Sequence, residues 1–315
     1  MAAFPDVARE TGGGVSSEVI DIYVGADRSQ LLAVAVLEHS IRRHTARAVR
    51  VCPLIDLDLP EPRDISQGSR TNFSFARFAI PELARYRGRG LYLDADMLVF
   101  RDIGELWDIP FDGASVVIQE ELPGHAVVHD KPGAPSRRIK QCSVMLIDCA
   151  RARWNVNEIV AGLDGRYTYE DLMHDLCILP EDEIRYAAPF AWNSLEHYDD
   201  QTRLVHYTDM DTQPWVSVEN RNGPLWLSEV RLMLETGAVG RPDLQREIDL
   251  GYFRPSLAVE LEEMPHAGGW DAVAAARYAE IDRRARFEKH AEVHRRTKAR
   301  QDAVRRQAAK GRIRA

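Results

Sequence analysis

Two periodicities alternate along this chain, and their order limits the folds open to it. VIDIYVGAD (19–27) is an apolar run closed by Gly and Asp, the pattern of a buried strand, and RSQLLAVAVLEHSIRRH (28–44) follows with helical spacing. AVRVCPLIDL (48–57), GRGLYLDADMLVF (88–100), ASVVIQEE (114–121) and CSVMLIDCA (142–150) read as further strands. Between them, SRTNFSFARFAIPELARY (69–86) reads as a helix broken near Pro81, and DIGELWDI (102–109) as a short helix. Later, VNEIVAGL, YEDLMHDLCIL, GPLWLSEVRLMLETG and PDLQREIDLGYF have helical spacing, while EIRYAAPFAWN and TRLVHYTDM read as short strands. Strands alternating with helices predict an α/β fold, Rossmann-like, with a mainly parallel central sheet and helices on both faces. The Gly/Pro-rich stretch 122–140 reads as a long loop, a place where function often resides.

Composition narrows the function classes. At 315 residues, 45% hydrophobic and 29% charged, the chain suits one large globular domain with an appendage. No apolar run is long enough to cross a bilayer, and the first residues lack the basic start and apolar core of a signal peptide. Cys52, Cys142, Cys149 and Cys177 form neither a CxxC pair nor a zinc pattern, so reduced thiols and a cytoplasmic protein are expected. The net charge of −8 is unevenly spread. Residues 271–315 hold 14 Lys/Arg against 6 Asp/Glu, so an acidic globule carries a basic tail. An acidic globule argues against nucleic acid as a partner. The tail should be helical but has a thin apolar face; it reads as a solvated helix, with peripheral contact to a membrane or a partner protein as the other reading.

Two acids, Asp94 and Asp96, stand near the end of an otherwise apolar strand. In open α/β sheets ligands bind beyond the carboxyl ends of the strands. Alternation puts residues i and i+2 on one side, where two carboxylates repel each other unless a cation compensates. Hard divalent cations such as Mn²⁺ and Mg²⁺ take oxygen ligands and commonly bridge carboxylates to substrate phosphates. The motif therefore suggests a metal holding a diphosphate, against the blander reading of two acids capping a helix. A phosphatase of the haloacid dehalogenase type would use a similar signature. Leu98 stands where that signature has Thr or Val, and the motif lies on about the third strand rather than the first.

Five motifs in order, IYVGAD, FARFAIPEL, LYLDADMLVF, SVMLIDCAR and HYTDMDTQPW, spread over roughly residues 19–235. In this the chain resembles the retaining glycosyltransferases of family 8, the group that includes bacterial lipopolysaccharide galactosyltransferases and glycogenin. The resemblance implies a GT-A fold, a nucleotide-sugar donor, usually UDP-linked, and Mn²⁺ or Mg²⁺. It implies roles for Gly25, Ala26 and Asp27 along the nucleotide, for Arg77 toward donor phosphate and sugar, and for Asp94, Asp96 and His206 as metal ligands. Asp27 also suits a helix N-cap. His174 and Asp175 of LMHDL are expected at the donor sugar, and Asn193 and Ser194 of WNSLEHY at sugar or acceptor. Trp192, Tyr198, Trp215 and Trp226 are aromatics that could stack on sugar faces, although most buried tryptophans are core.

The chain also departs from the family pattern. Gln141 of QCS replaces the usual Asn before the apolar strand and is counted among the catalytic candidates. Gln213 stands where the family often has a phosphate-binding lysine; Arg137, Arg138 or Lys140 of the loop could replace that charge. Retention requires either a double displacement, for which Asp175 is the sequence candidate as nucleophile, or front-face attack, which the resemblance favours. The expected organisation is a flexible leader (1–17), the GT-A domain (18–240), a helical part packed on it (241–270) and the basic helical tail (271–315). The expected activity is transfer of a hexose to a glycan, glycolipid or other hydroxyl acceptor. A nucleotidyltransferase on a related fold would want more glycines than VGADRSQ has. A binding protein that has lost catalysis is the third reading, kept open by Gln141 and Gln213.

Overall fold

The structure, a computed structural model, describes residues 19–69, 71, 73–120, 140–263, 269–289, 292, 295 and 296. The expected leader, the loop 122–140 apart from Lys140 and most of the tail beyond 289 lie outside the described residues.

Strand β1 (Ile20–Gly25) buries Ile20, Ile22 and Val24 completely, as suits β-branched residues in a strand with neighbours on both edges. Asp27 then caps a 3-10 turn that leads into α1 (Leu31–His44). Leu32, Val36 and Leu37 recur at helical spacing and bury one stripe of α1. Strand β2 (Val49–Pro53) lies parallel to β1, with Ile20 opposite Val49.

The expected helix over 69–86 is instead a 3-10 turn, Ala76–Ala79, followed by the single turn α2 (Ile80–Leu83). Pro81 sits in the first turn of α2, where its missing N–H costs no hydrogen bond, so it starts the helix rather than breaking it. Arg85 and Tyr86 adopt left-handed conformations (φ 54° and 55°) and end the segment.

The run 88–100 is not one strand but two. β3 (Arg89–Asp94) pairs in parallel with β1, and β4 (Met97–Val99) belongs to a second sheet. The chain bends at Asp94–Asp96, where it leaves one sheet for the other. After the short helix α3 (Gly104–Trp107) come β5 (Val116–Gln119) and β6 (Val144–Asp148), then α4 (Val156–Gly162), α5 (Tyr169–Asp175) and β7 (Ile184–Ala188). The six-stranded sheet has the order β2-β1-β3-β6-β5-β7. Only β6 runs against its neighbours, so the sheet is mainly parallel. One face packs on the 3-10 turn, α2, α4 and α5, and the other on α1 and α3. The α/β fold with helices on both faces is thus as the sequence predicts.

The second sheet joins β4 to β8 (Ser194–Leu195) and β9 (Leu204–His206) in the order β4-β9-β8. The antiparallel β4–β9 register sets Met97 opposite His206, while β8 runs parallel to β9. The helices α6 (Gly223–Thr236), α7 (Arg241–Asp249) and α8 (Ser256–Glu263) share one apolar cluster with α1 and β9, built around Trp215, Trp226 and Phe253. Buried Arg254 ties them to the 213–215 segment: its Nε donates to the Pro214 carbonyl at 2.9 Å and its Nη1 to Ser256 Oγ at 2.6 Å. Helix α9 (Ala272–Arg284) opens the basic tail, capped by Asp271. It is docked rather than fully solvated: Tyr278 and Ala275 are buried, and Asp282 accepts from the backbone N and the hydroxyl of Ser256 at 2.8 Å each.

Candidate active site

Sheet pairing gathers the sequence motifs at one edge. The β1–β3 register places Gly25 opposite Asp94, so the strand ends of IYVGAD and LYLDAD lie side by side. The antiparallel β3–β6 pairing sets Leu93 opposite Val144 and brings Gln141–Ser143 alongside. The β4–β9 ladder delivers His206, and the backbone N of Tyr207 donates to the Asp96 carbonyl at 2.8 Å. Asp94, Asp96 and His206 each offer an atom to one cluster whose members lie within 4.8 Å of one another. The side chains are 18%, 14% and 5% exposed, accessible to a ligand but shielded from bulk water.

Each member has a second contact that orients it. Tyr92 donates its hydroxyl to Asp94 Oδ1 at 2.6 Å, and Gln213 Nε2 donates to Asp96 Oδ2 at 2.8 Å. The remaining oxygens face His206 Nε2, Asp94 Oδ2 at 3.9 Å and Asp96 Oδ1 at 3.1 Å. Asp96 Oδ1 is buried, and the group facing it is His206 Nε2 at 3.1 Å, an ion-pair partner only when the imidazole is protonated. A buried carboxylate oxygen without a donor is costly unless a cation meets it. His206 Nδ1 lies 2.9 Å from Asn193 Oδ1, and Asn193 Nδ2 donates to Gln119 Oε1 at 2.7 Å. With that orientation a neutral imidazole carries its proton on Nδ1 and turns the Nε2 lone pair toward the carboxylates. Burial disfavours the imidazolium, but Asp96, with Asp94 and Glu196, more than offsets it and raises the pKa above the usual value. Two carboxylates and an imidazole form a donor set able to hold a divalent metal ion.

A cleft of about 550 Å³ opens over this cluster, in the size range of small-molecule sites. Asp27 lines it while capping its own turn, accepting from Ser29 N at 2.8 Å. Gln141, Arg77, His174 and Gln213 also line it. Arg77 is not a surface group. Its Nη1 donates to the Cys142 carbonyl at 2.8 Å, its Nη2 to the Tyr92 hydroxyl at 3.2 Å, and its guanidinium stacks 4.4 Å over the Tyr92 ring. Nη2 also lies 3.8 Å from Asp94 Oδ1, while Nε is buried without a partner.

Other expected residues lie elsewhere. Gly25 and Ala26 do not line the cleft. A Cβ on Gly25 would stand 2.2 Å from the Tyr92 hydroxyl, so this glycine makes room for Tyr92. Asp175 ends α5 exposed and away from the cleft; its carbonyl accepts from Lys140 Nζ at 3.1 Å. A nucleophile under a sugar in the cleft is therefore not its place. Asn193 is buried against His206 and does not line the cleft, and Ser194 Oγ donates to the His197 carbonyl at 2.8 Å. Trp192 and Trp226 are core; Trp215, equally buried, reaches the cleft wall.

The structure adds cleft residues that the motifs did not single out, among them Ser29, Thr71, Phe73, Tyr169 and Glu170. Glu170 had a signal: it precedes His174 by four residues on one helix face. Tyr92 had one too, sharing the side of Asp94 two residues away on β3.

Residues 61–143 match the sequence profile described as Glycosyl transferase family 8. Protein CDI of Arabidopsis thaliana is 32% identical over 250 residues, which cover 71% of this chain and 92% of that protein. Among solved structures, the apo WbbM bifunctional glycosyltransferase is 13% identical with a TM-score of 0.48 over 69% of this chain, which spans half of that one. The glycosyltransferase GlyE of Streptococcus pneumoniae TIGR4 is 17% identical with a TM-score of 0.47, over 67% of this chain and 59% of that one. The galactosyltransferase LgtC, solved with donor and acceptor sugar analogues, is 16% identical with a TM-score of 0.43, over 71% of this chain and 98% of that one. These structural likenesses are too distant to add to the sequence relationship. The profile match across the DAD motif and the near full-length relative settle the matter: the chain belongs to glycosyl transferase family 8 and is a glycosyltransferase.

Proposed function

We propose that the protein transfers a hexose, with retention, from a UDP-linked sugar to a hydroxyl of a glycan, glycolipid or small molecule, using Mn²⁺ or Mg²⁺ held by Asp94, Asp96 and His206. The observation that carries this reading is the cluster of Asp94, Asp96 and His206, whose ligand atoms lie within 4.8 Å of one another and which lines the cleft. A divalent cation bound there supplies Lewis-acid stabilisation of the charge that develops on the leaving diphosphate. Asp27 and Ser29, in the 3-10 turn before α1, line the cleft and would meet the nucleoside. Gln141, Ser143, Glu170 and His174 also line the cleft and would meet the sugar. Arg77 backs the floor through Tyr92 and Asp94 and adds the positive charge that Gln213 lacks. With Asp175 off the cleft, front-face attack is the better reading, and the acceptor proton passes to the leaving phosphate.

No helix among the described residues is long and apolar enough to cross a membrane. Peripheral contact through the tail, 271–315, is part of the proposal, since α9 turns Arg283 and Arg284 outward.

The test is UDP release from a panel of UDP-hexoses, with Mn²⁺ and after chelation, alone and with candidate acceptors. Metal-dependent release from one donor, stimulated by an acceptor, agrees with the proposal. Release that is indifferent to the chelator contradicts the cation's role. Donor binding without release under any condition favours a protein that has lost catalysis.

A further inference from the structure

Gln213 stands where a phosphate-binding lysine is expected, and its side chain does not point a donor at phosphate. It gives Nε2 to Asp96 Oδ2 at 2.8 Å and to the Tyr207 carbonyl at 3.1 Å. Both of these acceptors lie at the junction of β4 and β9, so the amide is held from two sides. It is 5% exposed. On the other carboxylate, Tyr92 does the same with its hydroxyl, donating to Asp94 Oδ1 at 2.6 Å. Tyr92 is itself held by Arg77, whose Nη2 donates to the phenol oxygen at 3.2 Å and whose guanidinium covers the ring. Gly25 leaves the space the phenol needs.

We infer that Tyr92 and Gln213 are positioning residues that each occupy one oxygen of one carboxylate, so that Asp94 and Asp96 present a single oxygen apiece to the cation beside His206. This inference rests on the cation reading of the site proposed above. The consequence is a site set before the cation arrives. An unclamped carboxylate can rotate about its last torsion, offer both oxygens or turn toward solvent, and ordering it then costs affinity. Here Oδ1 of Asp94 and Oδ2 of Asp96 take their hydrogen bonds from neutral donors, with the Arg77 guanidinium 3.8 Å from Asp94 Oδ1 behind Tyr92 and no Lys or Arg side chain at that distance from Asp96 Oδ2 among the described residues. Asp94 Oδ2 and Asp96 Oδ1 are the atoms left facing His206 Nε2, at 3.9 and 3.1 Å. Neutral donors suit this task better than a lysine would. An ammonium at position 213 would place a positive charge against Asp96 and compete with the cation for it. The glutamine thus explains its own departure from the family pattern: it favours cation retention over direct phosphate contact.

The test is calorimetric titration of Mn²⁺ alone into the wild-type protein, Gln213→Met and Tyr92→Phe, with thermal melting of each. Methionine keeps the volume of Gln213 and removes the donor; phenylalanine keeps the ring under Arg77. Outer-shell partners of metal ligands typically carry about 10–100-fold in affinity, so each variant should bind Mn²⁺ at least about tenfold more weakly. A merely structural role would lower the melting temperature and leave the Mn²⁺ affinity of the folded protein unchanged. Unchanged affinity in both variants, with wild type binding Mn²⁺, overturns the inference alone. No Mn²⁺ binding by wild type overturns the cation reading and the inference with it. Because the two variants act on different carboxylates, failure of one to fold leaves the other to decide.

Discussion

Replacing Asn193 by alanine separates two roles this residue could have. The sequence places it at the sugar or acceptor, whereas the structure buries it behind His206 with Oδ1 2.9 Å from the ring Nδ1 and Nδ2 2.7 Å from Gln119 Oε1. Alanine removes the hydrogen bond that fixes the imidazole's tautomer and rotation. The loss expected for an outer-shell partner is about 10–100-fold in metal affinity, or about 1.4–2.8 kcal/mol. The same change strips Gln119 Oε1 of its donor in a buried setting, which costs about 1–3 kcal/mol of stability. At roughly 2–4 °C per kcal/mol for a protein of a few hundred residues, melting should fall by several degrees. The assay is Mn²⁺ calorimetry on the folded variant, paired with a melt and with donor and acceptor KM. Weaker Mn²⁺ binding at unchanged acceptor KM fits a residue that supports His206. Unchanged Mn²⁺ affinity with a raised acceptor KM would refute the reasoning and return Asn193 to the substrate.

Other consequences are as specific. Gly25→Ala sets a Cβ 2.2 Å from the Tyr92 hydroxyl, so it should cost about 1–3 kcal/mol as overpacking and weaken Mn²⁺ binding together; a neutral melt would show that the strand end yields freely. Cys149 is fully buried and its thiol is pushed up to about 12 by burial, with Asp148 and Asp21 adding to the shift. At pH 8 its thiolate fraction is on the order of one in 10⁴, so iodoacetamide should label exposed Cys177 in the native protein and leave Cys149 unlabelled by mass spectrometry; comparable labelling would contradict that burial. Removing residues 271–315 should lower the melting temperature, because it deletes Tyr278 from its apolar contacts and Asp282 from Ser256. Ending the chain after Arg296 keeps those contacts, and anionic vesicle sedimentation of that form against the full chain then tests the tail; equal binding, or none by either, excludes a membrane contact through residues 297–315.

The order of strands and helices was legible because buried parallel strands are apolar runs and helices repeat at their own period. The gathering of Asp94, Asp96 and His206 was legible for a related reason: two acids close together near the end of an apolar strand repel each other unless something compensates, and the family motifs supplied the histidine. Where the reading failed, the cause was contact between distant segments. The run 88–100 looks like one strand because both halves are apolar, and only pairing of Met97 with His206 shows that the second half enters another sheet. Pro81 reads as a break, yet a proline serves equally at a helix's first turn, and local sequence does not tell the two apart. Asp175 and His174 are adjacent in sequence, but helix α5 turns only His174 to the cleft. Gly25 resembled a nucleotide-approach glycine, and its steric reason is the ring of a residue on the neighbouring strand. The tail's charge suggested a free helix, while the few apolar residues it has, Tyr278 among them, suffice to dock its start.

The most direct test of the central claim is calorimetric titration of a panel of nucleotide sugars against wild type and Asp96→Ala, with and without Mn²⁺. The account predicts that one UDP-hexose binds wild type only when Mn²⁺ is present, and that Asp96→Ala, still folded, loses that binding. Donor binding that is equally tight without the metal, or that survives Asp96→Ala unchanged, would contradict a cation at Asp94, Asp96 and His206 as the centre of the site.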